Sequence, residues 1–168
     1  MSDNPECVKT LVEKGHEPGN HSEHHYDMAT ITAGEMKTEI MDVHKKVKEM
    51  TGKDMKVFRP PYGSYNNELI DTVYGCDYYP IQWDVDSLDW KGISAAEITK
   101  RVTGKVTNGS IVLFHNAGEH TPEALAGIIE ALIADGYSII PISQMILPGD
   151  TSIDPNGRQC PAAADEGA

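Results

Sequence analysis

Apolar residues recur at helical spacing in five stretches of this chain: Cys7 to Lys14, Ala33 to Met50, Tyr65 to Val73, Ala95 to Val106 and Pro122 to Ala134. Each predicts a helix that buries one face. Thr32 and Ser94 stand where an N-cap is wanted, ahead of two of these stretches. Gly15, Gly52, Gly75, Gly109 and Gly136 each follow one, where a left-handed residue closes a helix. Between the helices lie short apolar or β-branched runs of strand length: Lys56 to Arg59, Tyr79 to Val85, Ser110 to Phe114 and Tyr137 to Ile142, with a short fifth through Glu17 to Asn20. Strands alternating with helices predict parallel βαβ units and an α/β fold. The pattern dissolves at Pro148, after which Gly, Pro, Asp and Ala dominate. The chain therefore reads as one domain over residues 1–147 and a C-terminal tail over 148–168, largely irregular, with Pro161 to Ala168 disordered.

Composition narrows the partners more than the fold. The 168 residues suffice for one domain, and 39% hydrophobic content is enough for a packed core. Against 14 basic residues stand 26 acidic ones, a net charge of −12 that repels phosphate backbones and anionic lipid, so nucleic acid is excluded as a partner. Cys7, Cys76 and Cys160 are odd in number and far apart, which gives neither a disulfide framework nor a thiolate metal site. No basic-then-apolar leader is present and no apolar run reaches the ~18 residues of a membrane helix; the expectation is a chain without export signal or membrane span.

The candidate chemistry falls just after the strands, the edge at which parallel α/β folds bind ligands. His21-Ser22-Glu23-His24-His25 spaces imidazoles at i and i+4, so that a helix-like turn could aim two of them at one metal; a solvated His-rich turn is the competing reading. Arg59, ahead of a Pro-Pro-Tyr turn, is either a surface arginine or a guanidinium that orients a carboxylate. Asp86-Ser87-Leu88-Asp89-Trp90 is a solvated turn around a tryptophan, or a carboxylate beside a sugar-stacking ring. His115 ends the run Ile111-Val112-Leu113-Phe114, as a satisfied core histidine or as an acid or base active near neutral pH. His16 and His120 lack comparable company and read as surface residues.

Taken in order, His21-Ser22-x-x-His25, Arg59-Pro60-Pro61-Tyr62, Asp86-Ser87-x-Asp89-Trp90 and Leu113-Phe114-His115 resemble four consecutive motifs of the polysaccharide deacetylases, carbohydrate esterase family 4. The resemblance runs from about Cys7 to Leu147 and is closest to the peptidoglycan and chitin deacetylase branch. It implies a distorted (β/α) barrel and hydrolysis of N-acetyl groups from a β-1,4-linked amino-sugar glycan, with release of acetate. It also implies a divalent metal, usually zinc, with cobalt or another divalent ion as alternatives, held by His21, His25 and an aspartate. Ser22 would support that loop, and His24, outside the pattern, would face elsewhere. By the same resemblance the Tyr62 N–H would stabilise the oxyanion, and His115, paired with Asp89, would protonate the departing amine. Trp90, Leu113, Pro61 and Tyr62 would contact substrate, and Arg59 would orient the catalytic base. The partner implied is an N-acetylated glycan, at the cell envelope or outside the cell.

One family motif has no counterpart. Thr-Phe-Asp-Asp-Gly, which supplies the base and the third metal ligand, does not occur in this chain. The expectation is an incomplete barrel lacking its first strands, about two βα units or on the order of 50 residues. Asp27 or Asp86 would have to replace the missing ligand. Open barrel edges would invite self-association and lower stability. The alternative to an enzyme is a non-catalytic glycan- or metal-binding remnant.

Overall fold

The computed structural model describes residues 4–162. Five helices alternate with short strands: α1 (Pro5–Glu13), α2 (Ala33–Thr51), β1 (Val57–Phe58), α3 (Asn67–Gly75), β2 (Tyr79–Pro80), β3 (Val85–Asp86), α4 (Ala95–Thr103), β4 (Val112–Leu113) and α5 (Thr121–Ala134), followed by β5 (Thr151–Ile153) and β6 (Gln159–Pro161). Short 3-10 turns at Met28–Thr30, Pro61–Gly63, Asp89–Lys91 and Ile142–Gln144 fill the loops. The five expected helices are present within a few residues of their expected ends. Thr32 and Ser94 both build reciprocal capping boxes, with Glu35 and Glu97 respectively.

Strands β1 to β4 pair in parallel, as the alternation predicts. β1 pairs with β2 in the register Val57↔Tyr79, and β3 with β4 in the register Val85↔Val112. Asn20 adds a single parallel bridge to Phe58, so the expected strand through Glu17 to Asn20 shrinks to one residue. The architecture is an open, distorted α/β barrel segment with helices outside and the strands' carboxyl ends gathered on one rim.

Packing divides into two clusters. On α2, Met36, Ile40, Val43 and Val47 recur at helical spacing and close over Met28, Phe58, Leu69, Val73 and Tyr78. Under the other pair of strands, Ile98 and Val102 of α4 meet Ala124, Ile128 and Leu132 of α5 across Val85. A fully buried side chain such as Ile40 or Ile98 contributes about 1.5–3 kcal/mol relative to exposure, so truncation within either cluster loosens its half of the rim.

Four expectations change. The run Tyr79 to Val85 is two strands in two sheets, because Pro80 has no N–H for a continuing ladder and the next residues carry the chain across. Tyr137 to Ile142 forms no strand; among the described residues it has no ladder partner, and Ile139 and Ile140 stay exposed. Gly75 ends α3 from within, and the left-handed residue after it is Asp77, while Gly109 closes a turn well beyond α4. The tail is not wholly irregular, since β5 and β6 form an antiparallel hairpin, Ser152↔Cys160. Residues 163–168, most of the segment expected to be disordered, lie outside the described residues.

Candidate active site

Four loops leave the carboxyl ends of the strands and line one open trough of about 1230 Å³, which His21, His25, Arg59, Tyr62, Trp90 and His115 share. The first follows the Asn20 bridge. His21 and His25 meet edge to face with ring centroids 4.8 Å apart, and His25 meets Tyr62 in the same way at 4.7 Å. The pair converges, but not through a helical turn: Ser22 (φ 66°) and His25 (φ 58°) are left-handed, so the backbone folds back on itself between the imidazoles. Ser22 supports the loop as expected, its Oγ accepting the His25 N–H at 2.9 Å. His24 does face elsewhere, with Nδ1 2.6 Å from the Glu39 carboxylate and the ring stacked on Tyr26.

Nδ1 of His21 lies 2.6 Å from the Arg59 carbonyl oxygen, which can only accept, so the proton sits on Nδ1 and the Nε2 lone pair is free. Desolvation by the trough wall pulls this imidazole below its ordinary pKa; the carbonyl bond opposes that shift, and the neighbouring His25 adds to it. A neutral imidazole with one oriented lone pair is the donor a divalent cation requires. The two histidines therefore fit part of a metal's donor set. No third ligand joins them: among the described residues no group of three or more His, Cys, Asp or Glu could hold a metal. Asp86 lines the trough without grouping with the histidines, and Asp27 is not part of the lining. Asp27 caps the 3-10 turn through the Ala29 N–H, and Asp86 accepts the Leu88 N–H at 2.9 Å.

The Arg59-Pro60-Pro61-Tyr62 loop turns through Tyr62 at φ 59°, which leaves its ring 70% exposed at the trough mouth, while Pro61 is buried beneath it. Gly63 is required twice over: φ is 66°, and a Cβ there would stand 2.7 Å from the Trp83 ring. The Arg59 guanidinium lies over that ring at 5.8 Å, and burial lowers its pKa. Its Nε is buried without a hydrogen-bond partner among the described residues. Arg59 is thus no ordinary surface arginine; it is a desolvated cation whose buried Nε no described carboxylate meets.

The last two loops close on each other. Asp89, 1% exposed, receives His115 Nδ1 on one oxygen at 2.8 Å, and on the other the His115 N–H at 2.8 Å and the Thr121 hydroxyl at 2.7 Å. Burial pushes the Asp89 carboxyl up, and the bonds from His115 and Thr121 outweigh it, holding the group below the usual aspartate value. An ionised Asp89 accepts only, so His115 carries its proton on Nδ1 and turns Nε2 to the trough. Leu113 is buried behind it and Trp90 stands 56% exposed at the lip. Of the two background histidines, His120 approaches Glu123 at 3.7 Å and His16 is exposed at the trough's far end. Sequence reasoning missed Thr121, Gly118 and Glu39. The first two sit just past the Leu-Phe-His motif, and Glu39 reads as one more charge on an amphipathic helix.

The profile of the polysaccharide deacetylase family matches residues 1–81. A peptidoglycan-N-acetylglucosamine deacetylase of Bacillus cereus is 31% identical over 148 residues, which cover 85% of this chain and 69% of that protein. The PgdA peptidoglycan-N-acetylglucosamine deacetylase of Listeria monocytogenes is 34% identical over 84% of this chain and 30% of its own length. Among solved structures, a family 4 carbohydrate esterase of Streptomyces lividans in complex with acetate superposes with a TM-score of 0.76 at 31% identity, covering 80% of this chain and 69% of that one. A family 4 pseudoenzyme of Bacillus anthracis superposes with a TM-score of 0.81 at 30% identity, over 86% and 51%. The chain spans 46%, 30% and 53% of YlxY of Bacillus subtilis, Listeria PgdA and a second Bacillus cereus deacetylase.

Proposed function

The chain belongs to the polysaccharide deacetylases of carbohydrate esterase family 4, and on that premise we propose that its protein removes N-acetyl groups from a β-1,4-linked amino-sugar glycan at the cell envelope. Peptidoglycan is the substrate favoured over chitin, because several of the relatives are named for it. The observation that carries the reading is convergence: a histidine pair, a turn presenting Tyr62 and an Asp89–His115 dyad face one trough.

Each residue has a role in that scheme. His21 and His25 would hold a divalent metal, zinc before cobalt, together with a ligand from outside the described residues. Such an ion supplies Lewis acidity toward the acetyl carbonyl and acidifies water. His115, when its ring is protonated on both nitrogens, gives the Nε2 proton to the departing amine and returns to the neutral form, while Asp89, bonded at Nδ1, stabilises the imidazolium before the transfer and fixes the ring. The Tyr62 N–H faces the developing oxyanion, a contribution that is worth about 3 kcal/mol when one such donor is lost elsewhere. Leu113 and Trp90 wall the acetyl group, with Pro61 buttressing Tyr62. Arg59, desolvated and with its Nε unpartnered among the described residues, waits for a carboxylate base.

A second reading is a binding module without turnover, in which the same trough holds glycan or metal. Two observations favour it: among the described residues no third ligand joins the histidines, and pseudoenzymes are among the structural neighbours. Acetate release from N-acetylated amino-sugar oligomers, measured with added zinc or cobalt for wild type and His115→Ala, separates the two. Turnover that the substitution abolishes supports the enzyme; glycan retention without acetate supports the module. Exposed Ile139 and Ile140 on the trough wall support self-association of this chain, which sedimentation would register as a concentration-dependent mass.

A further inference from the structure

Glu39 is 6% exposed, yet it stands on α2 between the core residues Met36 and Val43. A buried carboxylate is tolerated only where donors meet it. Here there are three, and all come from the histidine loop: the Glu23 N–H at 3.0 Å, the His24 N–H at 2.8 Å and His24 Nδ1 at 2.6 Å. The two neighbouring amides are received as well, Ser22 N–H by the Asn20 side chain at 3.0 Å and His25 N–H by Ser22 Oγ at 2.9 Å. Four consecutive backbone donors, 22 to 25, are thus taken by side-chain oxygens. With every donor met, two non-glycine residues of the loop can remain left-handed.

We propose that Glu39 is a positioning residue that selects which two of three adjacent histidines are presented to the trough. The sequence offers His21, His24 and His25 at once. Glu39 removes His24 from the choice by taking its Nδ1 and turning the ring onto Tyr26, and by gripping the Glu23 and His24 amides it bends the chain so that His21 and His25 meet. The core face of α2 fixes the position of Glu39, so the geometry of the pair is set by a helix some fifteen residues away in sequence. The selection rests on the proposed function only for its purpose, the binding of a metal; the ring geometry is set by the chain's own residues.

NMR of the chain is therefore the test, on wild type, Glu39→Ala, Glu39→Gln and Val43→Ala. Glu39→Ala should increase hydrogen exchange at the Glu23 and His24 amides at least tenfold and erase the nuclear Overhauser contact between the His21 and His25 rings. Val43→Ala, a core truncation on the same helix, should lower the unfolding midpoint and leave both signals intact. Glu39→Gln, which keeps one acceptor oxygen and the fold, should retain part of the protection. Unchanged exchange and an intact ring contact in Glu39→Ala overturn the proposal, as does equal loss in Val43→Ala. If Glu39→Ala does not fold, wild-type protection in Glu39→Gln alongside a lost ring contact overturns it too, because the grip would then not govern the pair. Zinc titration gives the second arm: an affinity reduced about 10–100-fold by Glu39→Ala is expected. Absence of zinc binding by wild type would count against the metal-dependent function, whereas the exchange and ring-contact measurements would still decide the role of Glu39.

Discussion

Asp89 and His115 meet over a carboxylate that is almost wholly buried and fully bonded, whereas His21 and His25 meet on a rim loop whose backbone is twisted into left-handed conformations. Both arrangements hold imidazoles for chemistry, but they do so through different physics. In the first, a side chain inside the protein carries the interaction, and folding and site geometry share the same bonds. In the second, the rings project from the surface and side-chain acceptors hold the backbone. Changes to the dyad should therefore register as lost stability. Changes to the histidine rings should not, although their geometry depends on Glu39 and Asn20.

The sharpest way to break that contrast is to truncate one member of each pair. Asp89→Ala leaves the His115 N–H and the Thr121 hydroxyl without their acceptor in a buried site, at a cost of about 3 kcal/mol in urea unfolding. His25→Ala removes an exposed ring and should stay within about 0.5 kcal/mol of wild type. Equal losses would show that the loop is as integral to the fold as the dyad.

Gly118→Ala comes next. A Cβ at this buried position would lie 2.2 Å from the Thr121 hydroxyl and 2.6 Å from the Asp89 carboxylate, so helix α5 or the dyad must shift. Overpacking of this kind costs about 2 kcal/mol. The loss should come with a changed His115 imidazole resonance, since Thr121 and His115 share Asp89. A stability loss without that spectral change would mean that only α5 had moved.

A smaller effect should appear in the pH dependence. Asp89 is held below its ordinary value when folded, so the unfolded chain binds the proton more readily. Its contribution is present in full above the unfolded value of about 3.9 and is lost as pH falls through the lower folded one. Urea midpoints measured from pH 5 downward should fall more steeply for wild type than for Asp89→Asn. Parallel curves would assign the acid sensitivity to other carboxylates.

What the sequence made legible, and what it did not, follows the same division. Helices α1 to α5 announced themselves because amphipathic spacing and caps such as Thr32–Glu35 are local signals. The site motifs were legible for a related reason, each being a short run at the end of a strand. The strands were harder: Tyr79 to Val85 alternates Ile81, Trp83 and Val85 with Gln82 and Asp84 as one strand would, and only the pairing of its two ends with β1 and β4 divides it. Tyr137 to Ile142 has strand composition, but a strand exists only with a neighbour to bond. Glu39 and Thr121 were invisible because their partners lie 15 to 16 and 32 positions away, beyond any periodicity.

Tyr62 offers the finest test, since it belongs to neither pair yet touches His25. Its φ of 59° is costly for a side chain with a Cβ, while its ring, largely in solvent, recovers little by packing. Glycine would relieve the backbone and lose conformational entropy in return, for a net gain of about 0.5 kcal/mol in Tyr62→Gly. A fold that becomes slightly more stable on losing a trough-lining tyrosine would show strain retained at the rim, as function-bearing turns retain it. A loss of about 1 kcal/mol or more would instead show that the His25–Tyr62 contact supports the loop. The histidine pair would then depend on a neighbour in the Arg-Pro-Pro-Tyr turn as well as on α2, and the contrast with the buried dyad would narrow to a difference of degree.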